Sequence, residues 1–488
     1  MSAIFSKLSQ FHLPSVVYYA VALAMAKLVG LVMQPFLTRT LSTNEFGDYA
    51  VLITIGSLVS LMMLFGMVDS LYRQTHDKTT TAAQAYLGAW SMTVVISCCI
   101  ALPMLLWPAY FLQWLPGDIT PFSFRCLTIN LLFGSHCAVH LAKLRLDDRA
   151  IRFFIAQAIF TVAQMVAILC LAPDFKVDGI MLGTAIGQCL QWGYLHHRQA
   201  PRWSFTLAKP LTRYGYGIAL SGIISFIAFG AERWVLADIS GTQELAIYSI
   251  AMQWAIAATL LLEPFSMWWF PRRFKDLDYA YGQRYTAAMT IQGCNLATLL
   301  SAAIITFATP FLLIWLPESY HQVANILPWL VGLMLIKTFS TLLNVGCYYQ
   351  KQSHTLVVIA ILSAIIALVC MWLLIPRFGI VGAIISGFIV QSVRCGLFLV
   401  ISQSLLRMHY PYHQLLRLLG GLLLITCMVL GALSQRLPLI AAVPIALITL
   451  AIMSFATHKF WRYAQQQGKS FEPSDPKPPQ PKPLAHEP

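Results

Sequence analysis

A chain of 488 residues that is 58% hydrophobic and only 10% charged, with a mean hydropathy of +0.69, has too little polar surface for a water-soluble globular protein of this size. Its net charge of +13 would suggest nucleic acid as a partner of a soluble protein. Here the charges fall in short loops between long apolar runs, where they orient a membrane protein, and no alternation of apolar and polar residues supports a β-barrel.

The runs are each roughly 20 residues, enough for a helix to cross about 30 Å of hydrocarbon. In chain order they predict about fourteen transmembrane helices, over 14–37, 46–68, 85–107, 121–143, 152–172, 179–197, 214–237, 245–268, 285–314, 322–347, 354–375, 379–401, 412–433 and 437–460. Residues 1–13 form an N-terminal segment. The run that follows is too long for a leader's apolar stretch of about 7–15 residues, so it reads as span one. Alternate loops carry the basic residues: Arg73 and Lys78, then Arg145, Arg149 and Arg152, then Arg198, Arg202, Lys209 and Arg213, then Arg272, Arg273, Lys275 and Arg284, then Lys351, Arg407, Lys459 and Arg462. The other loops hold only Arg39, Lys176, Arg377 and Arg436. Positive loops remain in the cytoplasm, so both termini are expected there. The external loops, "WLPGD", "PDFKVDG", "ISGTQE" and "WLPES", leave no room for a catalytic domain. From residue 465 to 488 the chain is proline-rich and is expected to be a disordered cytoplasmic tail. The eleven cysteines lie in or beside apolar runs, without metal-type spacing to histidine, and read as small hydrophobes.

The chain also repeats. "LSTNEFGDYAVL" (41–52) aligns with "SGTQELAIYSI" (240–250), matching Glu45 to Glu244 and Tyr49 to Tyr248 at an offset of 199. "PDFKVDGIMLGTAIGQ" (173–188) aligns with "PRFGIVGAIISGFIVQ" (376–391), matching Pro173, Phe175, Gly179 and Gln188 to Pro376, Phe378, Gly382 and Gln391 at an offset of 203. The expected organisation is a six-helix half (14–197), a linker (198–213), a second six-helix half (214–401), two added helices (412–460) and the tail. Matched spans share an orientation, as in parallel-repeat transporters with a central cavity.

Three stretches carry a family resemblance. "FLTRTLSTNEFGDYAVL" resembles the corner after span one in the polysaccharide-transporting branch of the multidrug/oligosaccharidyl-lipid/polysaccharide exporter superfamily. "LTRYGYGIALSGIISFI" opening span seven and "IPRFGIVGAIISGFIV" between spans eleven and twelve extend that resemblance over roughly residues 10–460. The chain is most similar to Wzx-type flippases. This implies transport of an undecaprenyl-pyrophosphate-linked oligosaccharide across the bacterial inner membrane for O-antigen, capsule or exopolysaccharide. It also implies no enzyme activity and no cofactor, with a polysaccharide polymerase and chain-length machinery as possible partners.

Charged residues inside the spans suggest the site. Lys27 is ten residues from Leu37, about 15 Å along a helix, and its stem reaches about 6 Å, so it cannot snorkel to that end. Its helical neighbours Ala20, Leu23, Ala24, Gly30, Leu31 and Gln34 form a stripe that is small and polar by this segment's standard, so it is expected to face protein or water. Lys337 shares a face with Ser340, Thr341 and Asn344; Arg233 follows Glu232 and matches Gln34 by the first offset; Arg394 shares a face with Gln391. Lys27, Gln34, Arg233, Lys337, Asn344 and Arg394 are therefore the candidate substrate contacts, and Glu232 and Glu263 the candidate ion-pair or coupling acids. His136 and His140 are spaced i, i+4 but lack supporting ligands, so no metal site is expected. Bases outnumber acids, which suits a pyrophosphate or acidic sugar and weighs against a drug or cation antiporter of the same superfamily. A membrane glycan polymerase or ligase is the rival from another class, disfavoured by the short external loops.

Overall fold

The computed structural model describes residues 15–75, 81–274, 277–349 and 353–469. The N-terminal segment 1–13 and the stretch 470–488 lie outside the described residues. The described chain is helical throughout, because each apolar run satisfies its backbone internally.

Among the described residues, nine helices are long and apolar enough to cross a membrane, and a bent pair supplies another span. Two of the nine, Ala150–Gln199 and Ser353–Leu405, run through a hairpin and count twice. Ser15–Thr40 and Pro121–Leu146 complete fourteen crossings.

The short loops expected between their arms, at 173–178 and 376–378, shrink to a single-residue turn in each. In Ala150–Gln199 the only residue with non-helical dihedrals is Lys176, at φ 50° and ψ −126°. In Ser353–Leu405 it is Gly379, at φ 53° and ψ −129°. The separation, 379 − 176 = 203, is the second offset of the repeat. Three residues on, the arms touch through their backbones. A Cβ on Gly179 would stand 2.4 Å from the Leu171 carbonyl oxygen, and one on Gly382 2.2 Å from that of Leu374. In the first hairpin Gly183 and Gly187 continue this contact, so "GIMLGTAIG" is a small-residue seam at four-residue spacing.

Lysine pays backbone strain at a position where glycine would not. Its ammonium contributes something in return, donating to the Thr40 carbonyl at 3.1 Å and lying 3.5 Å from Glu45. Both partners are solvent-accessible, so the ion pair is worth at most about 1 kcal/mol. Lys176→Gly is therefore expected to raise stability by about 1 kcal/mol, and Gly379→Lys to lower it by about 1–3 kcal/mol. Thermal midpoints of the purified variants check both signs.

Four expected spans are broken. Span two divides into Thr43–Leu64 and Met67–Thr75 at Phe65 and Gly66, both with positive φ. Span seven divides into Ala208–Phe229 and Ala231–Ser240, bent by 43° at Gly230. Span eight divides into Thr242–Leu261 and Glu263–Trp269, where Pro264 removes a backbone donor in the first turn of the second piece. Span ten ends at Leu342 and resumes as Val345–Tyr349. At the C-terminus the last helix continues to Lys469, five residues into the stretch expected to be extended.

Packing divides the chain into two compact units, Met1–Ile247 and Tyr248–Pro488. In unit 1 the first helix lies along the 150–199 hairpin, with Tyr19 against Phe153 at 5.1 Å and Ala22 in a core with Leu141, Phe153 and Leu195. A second core joins Met67, Leu71, Tyr86, Trp90 and Leu211. In unit 2, Ala280–Trp315 is the central helix, packed by Gln322–Leu342, Tyr412–Leu433 and Leu439–Lys469. The added C-terminal pair thus shares one core with span nine.

Candidate functional site

Unit 1 is built around the corner at 41–49. Ser42 accepts from the Glu45 backbone N–H at 3.3 Å, and Glu45 accepts from the Ser42 N–H at 2.8 Å, a capping box that starts helix Thr43–Leu64. Phe46 is buried, and Gly47 meets the start of Thr242–Leu261: a Cβ there would stand 2.0 Å from the Thr242 carbonyl oxygen. Asp48, 8% exposed, lies under Gly117, whose φ of +92° and lack of a side chain let the 113–120 loop close over it. Ala50, Val51, Ala237 and Leu245 seal the same arginine-poor end.

The second family stretch behaves likewise. A Cβ on Gly215 would stand 2.4 Å from the Phe65 carbonyl, and Ser70 donates to the Leu211 carbonyl at 3.1 Å. Span seven therefore rests on the break in span two near the arginine-rich end. With Gly382 in the third stretch, all three signature segments supply a glycine where backbone meets backbone. At these points they serve close packing.

The candidate residues fall on both units. The backbone of Lys27 is helical, but its side chain lies outside the described residues. Gln34 is 1% exposed, one residue before Pro35, and its carbonyl accepts from Thr38 at 3.0 Å. Glu232 and Arg233 sit directly after the bend at Gly230, in the first turn of Ala231–Ser240. Glu232 is 7% exposed; Arg233 is half-buried, and its Nε has no hydrogen-bond acceptor among the described residues. The bend was missed because span seven was read as one apolar run, although Gly230 marks it.

In unit 2, Lys337 is half-buried within its helix, and Ser340 donates to its carbonyl at 2.6 Å. Asn344 does not continue the Lys337 face. The helix has ended, and the Asn344 Oδ1 accepts from Arg273 at 3.1 Å. Glu263 is exposed at the start of its short helix. Arg394 stacks over Phe398 at 5.5 Å. Arg273, one of the loop charges, does lie in a turn but is only 7% exposed, and burial lowers its guanidinium pKa from the ordinary value.

The histidines belong to a polar seam inside unit 1. His136 Nε2 pairs with Ser97 at 2.9 Å, and His140 Nδ1 with the Tyr86 hydroxyl at 2.8 Å and Gln199 at 3.2 Å. Trp90 and Trp192 flank His196 nearby. This packing function accounts for their i, i+4 spacing.

Between Ala280–Trp315 and the C-terminal pair lies an apolar cavity of about 560 Å³, bounded by Phe307, Pro310, Leu313, Val429, Val443 and Leu447.

Residues 36–271 match the family described as "Polysaccharide biosynthesis protein". The fold matches "Lipid II flippase MurJ, inward closed conformation" with a TM-score of 0.68 at 11% identity, over 92% of this chain and 99% of that one. The chain thus carries a segment that matches a polysaccharide-biosynthesis family, on a fold it shares with this solved flippase. That segment includes the capped corner, the Gly215 contact and the bend before Glu232. A second structural neighbour is an inward-facing multidrug resistance MATE transporter of the MOP superfamily, TM-score 0.59 at 13% identity, covering 82% of this chain and 99% of that one. The "Succinoglycan biosynthesis transport protein ExoT" of Rhizobium meliloti (strain 1021) is 25% identical over 227 residues, 45% of each chain, so the match spans under half the length of that relative. These findings agree with the resemblance read from the signature stretches: residues 36–271 match a polysaccharide-biosynthesis family, and the chain shares the fold of these solved transporters.

Proposed function

We propose that the protein moves an undecaprenyl-pyrophosphate-linked oligosaccharide from the cytoplasmic to the periplasmic leaflet of a bacterial inner membrane by alternating access. Its arginine-rich ends and both termini would then be cytoplasmic. It would deliver glycan to a polymerase and chain-length machinery. The observation that carries this reading is Arg233: a cation held within a membrane span at a helix bend, with an uncommitted Nε donor among the described residues. A guanidinium so placed favours an oxyanion over a cationic drug. Lys27, Gln34, Lys337 and Arg394 are the further proposed contacts along the path, and Glu232 the proposed balancing or coupling acid. The apolar cavity in unit 2 has the chemistry to receive part of a prenyl chain.

Arg233→Ala and Lys27→Ala are each expected to reduce surface glycan by roughly tenfold or more while leaving membrane abundance near normal, with Lys27→Arg keeping part of the activity. Membrane abundance and surface glycan are measured together. If Lys27 instead served only a buried pair, Lys27→Ala would lower abundance and Glu232→Gln would restore it. Full export by both alanine variants would refute the assignment.

A further inference from the structure

The arginine-rich end of unit 2 contains a buried cation that the transport path does not use. Arg273 lies in the turn after Glu263–Trp269 and is 7% exposed. Its guanidinium stands 4.8 Å from the Phe270 ring centre, 4.7 Å from that of Phe274 and 5.1 Å from that of Tyr348. Ring faces stabilise the charge without consuming its N–H donors, which point out along the edge of the plane. One donor is used, to Asn344. Nε is buried and has no acceptor among the described residues.

No carboxylate pairs with Arg273 among the described residues. Asp278 accepts instead from the Tyr349 hydroxyl. The second uncommitted donor is Tyr410, also 7% exposed, whose hydroxyl has no partner among the described residues. Tyr410 lies within electrostatic reach of Arg273 and of Cys347, on the helix that carries Tyr348. Its segment is fixed from both sides: Gln403 donates to the Met408 carbonyl at 2.9 Å and accepts from the Met408 N–H at 2.9 Å.

Two nine-tenths-buried side chains thus present donors that meet no acceptor among the described residues. A buried guanidinium without a counter-charge is costly, and leaving N–H and O–H groups unmet adds to that cost. A water could meet one hydrogen bond but not the charge. We propose that Arg273 and Tyr410 form a binding site for a phosphate oxyanion at the arginine-rich face of unit 2, distinct from the proposed path through Arg233. Phosphate matches the planar fork of arginine and accepts from a phenol at the same time. The oxyanion can come from an anionic phospholipid headgroup or from soluble phosphate.

The test uses the purified full chain in zwitterionic nanodiscs, with thermal unfolding followed by tryptophan fluorescence. One arm titrates sodium phosphate at fixed ionic strength against chloride. The other replaces part of the lipid with phosphatidylglycerol. A midpoint that rises with phosphate assigns a soluble ligand; one that rises only with phosphatidylglycerol assigns a headgroup. Arg273→Met strands no carboxylate among the described residues, so it is expected to fold at least as well as wild type without the anion, and to lose the rise. Tyr410→Phe keeps the net charge and is expected to weaken the dependence by roughly tenfold. Arg273→Lys keeps the charge but not the fork and is expected to fall between the two. The proposal fails if neither arm raises the wild-type midpoint, or if the rise persists undiminished in Arg273→Met or, should that variant not fold, in Tyr410→Phe.

Discussion

Gly47→Ala is expected to destabilise the protein by about 3 kcal/mol or more, and to reduce export beyond what lower abundance explains. The new Cβ would lie 2.0 Å from the Thr242 carbonyl oxygen. That atom is backbone, so no side-chain rotation relieves the clash, and the corner must part from the start of Thr242–Leu261. The contact also helps close the arginine-poor end of unit 1, beside the Asp48–Gly117 packing and the Ala50, Val51, Ala237 and Leu245 seal. A wedge at this point therefore acts on closure as well as on folding. Thermal midpoint, membrane abundance and surface glycan, measured on the same preparation, separate the two effects. A wild-type midpoint would show that the corner can yield.

The second large effect is expected in duplicate. Gly179→Ala and Gly382→Ala place a Cβ 2.4 and 2.2 Å from the carbonyls of Leu171 and Leu374. Each should cost about 3 kcal/mol or more, because the two arms of a hairpin are forced apart at backbone contact. The same helices supply matched controls. Gly193 and Gly396, again 203 apart, have nothing within 4 Å of their built Cβ positions. Alanine there should be neutral or gain about 0.5–1 kcal/mol from helix propensity. A large loss at one of Gly179 and Gly382 without the other would count against structural equivalence of the two hairpins. Midpoints of all four variants decide it.

Much of this fold was legible because lipid imposes a coarse rule that long apolar runs display directly. The fourteen runs and the repeat offset required only hydropathy and identity. What escaped were events at one or two residues. Gly230, Leu262 and the Leu343–Asn344 break interrupt runs whose average composition does not change, so a window-based reading passes over them. Asn344 was assigned to the Lys337 face by helical spacing, and the spacing failed because the helix had already ended. Arg273 was counted as a loop charge since nothing local marks it for burial; its cage comes from Phe270, Phe274 and the distant Tyr348. The signature stretches misled in a different way. They carry the family resemblance, yet their glycines serve close packing, while the proposed contact Arg233 lies outside all three.

The loopless turns at Lys176 and Gly379 bear on how the protein enters its membrane. Each hairpin reverses within about one residue, so almost no polar chain has to be carried to the far side during synthesis. Around the first turn only Asp174, Lys176 and Asp178 would make the crossing, and around the second only Arg377. A single arm emerging alone would expose the glycine seam to lipid, where it finds no partner, whereas the paired arms bury it on each other. The two arms are thus suited to leave the insertion machinery together, as one finished hairpin, with the tight turn leading.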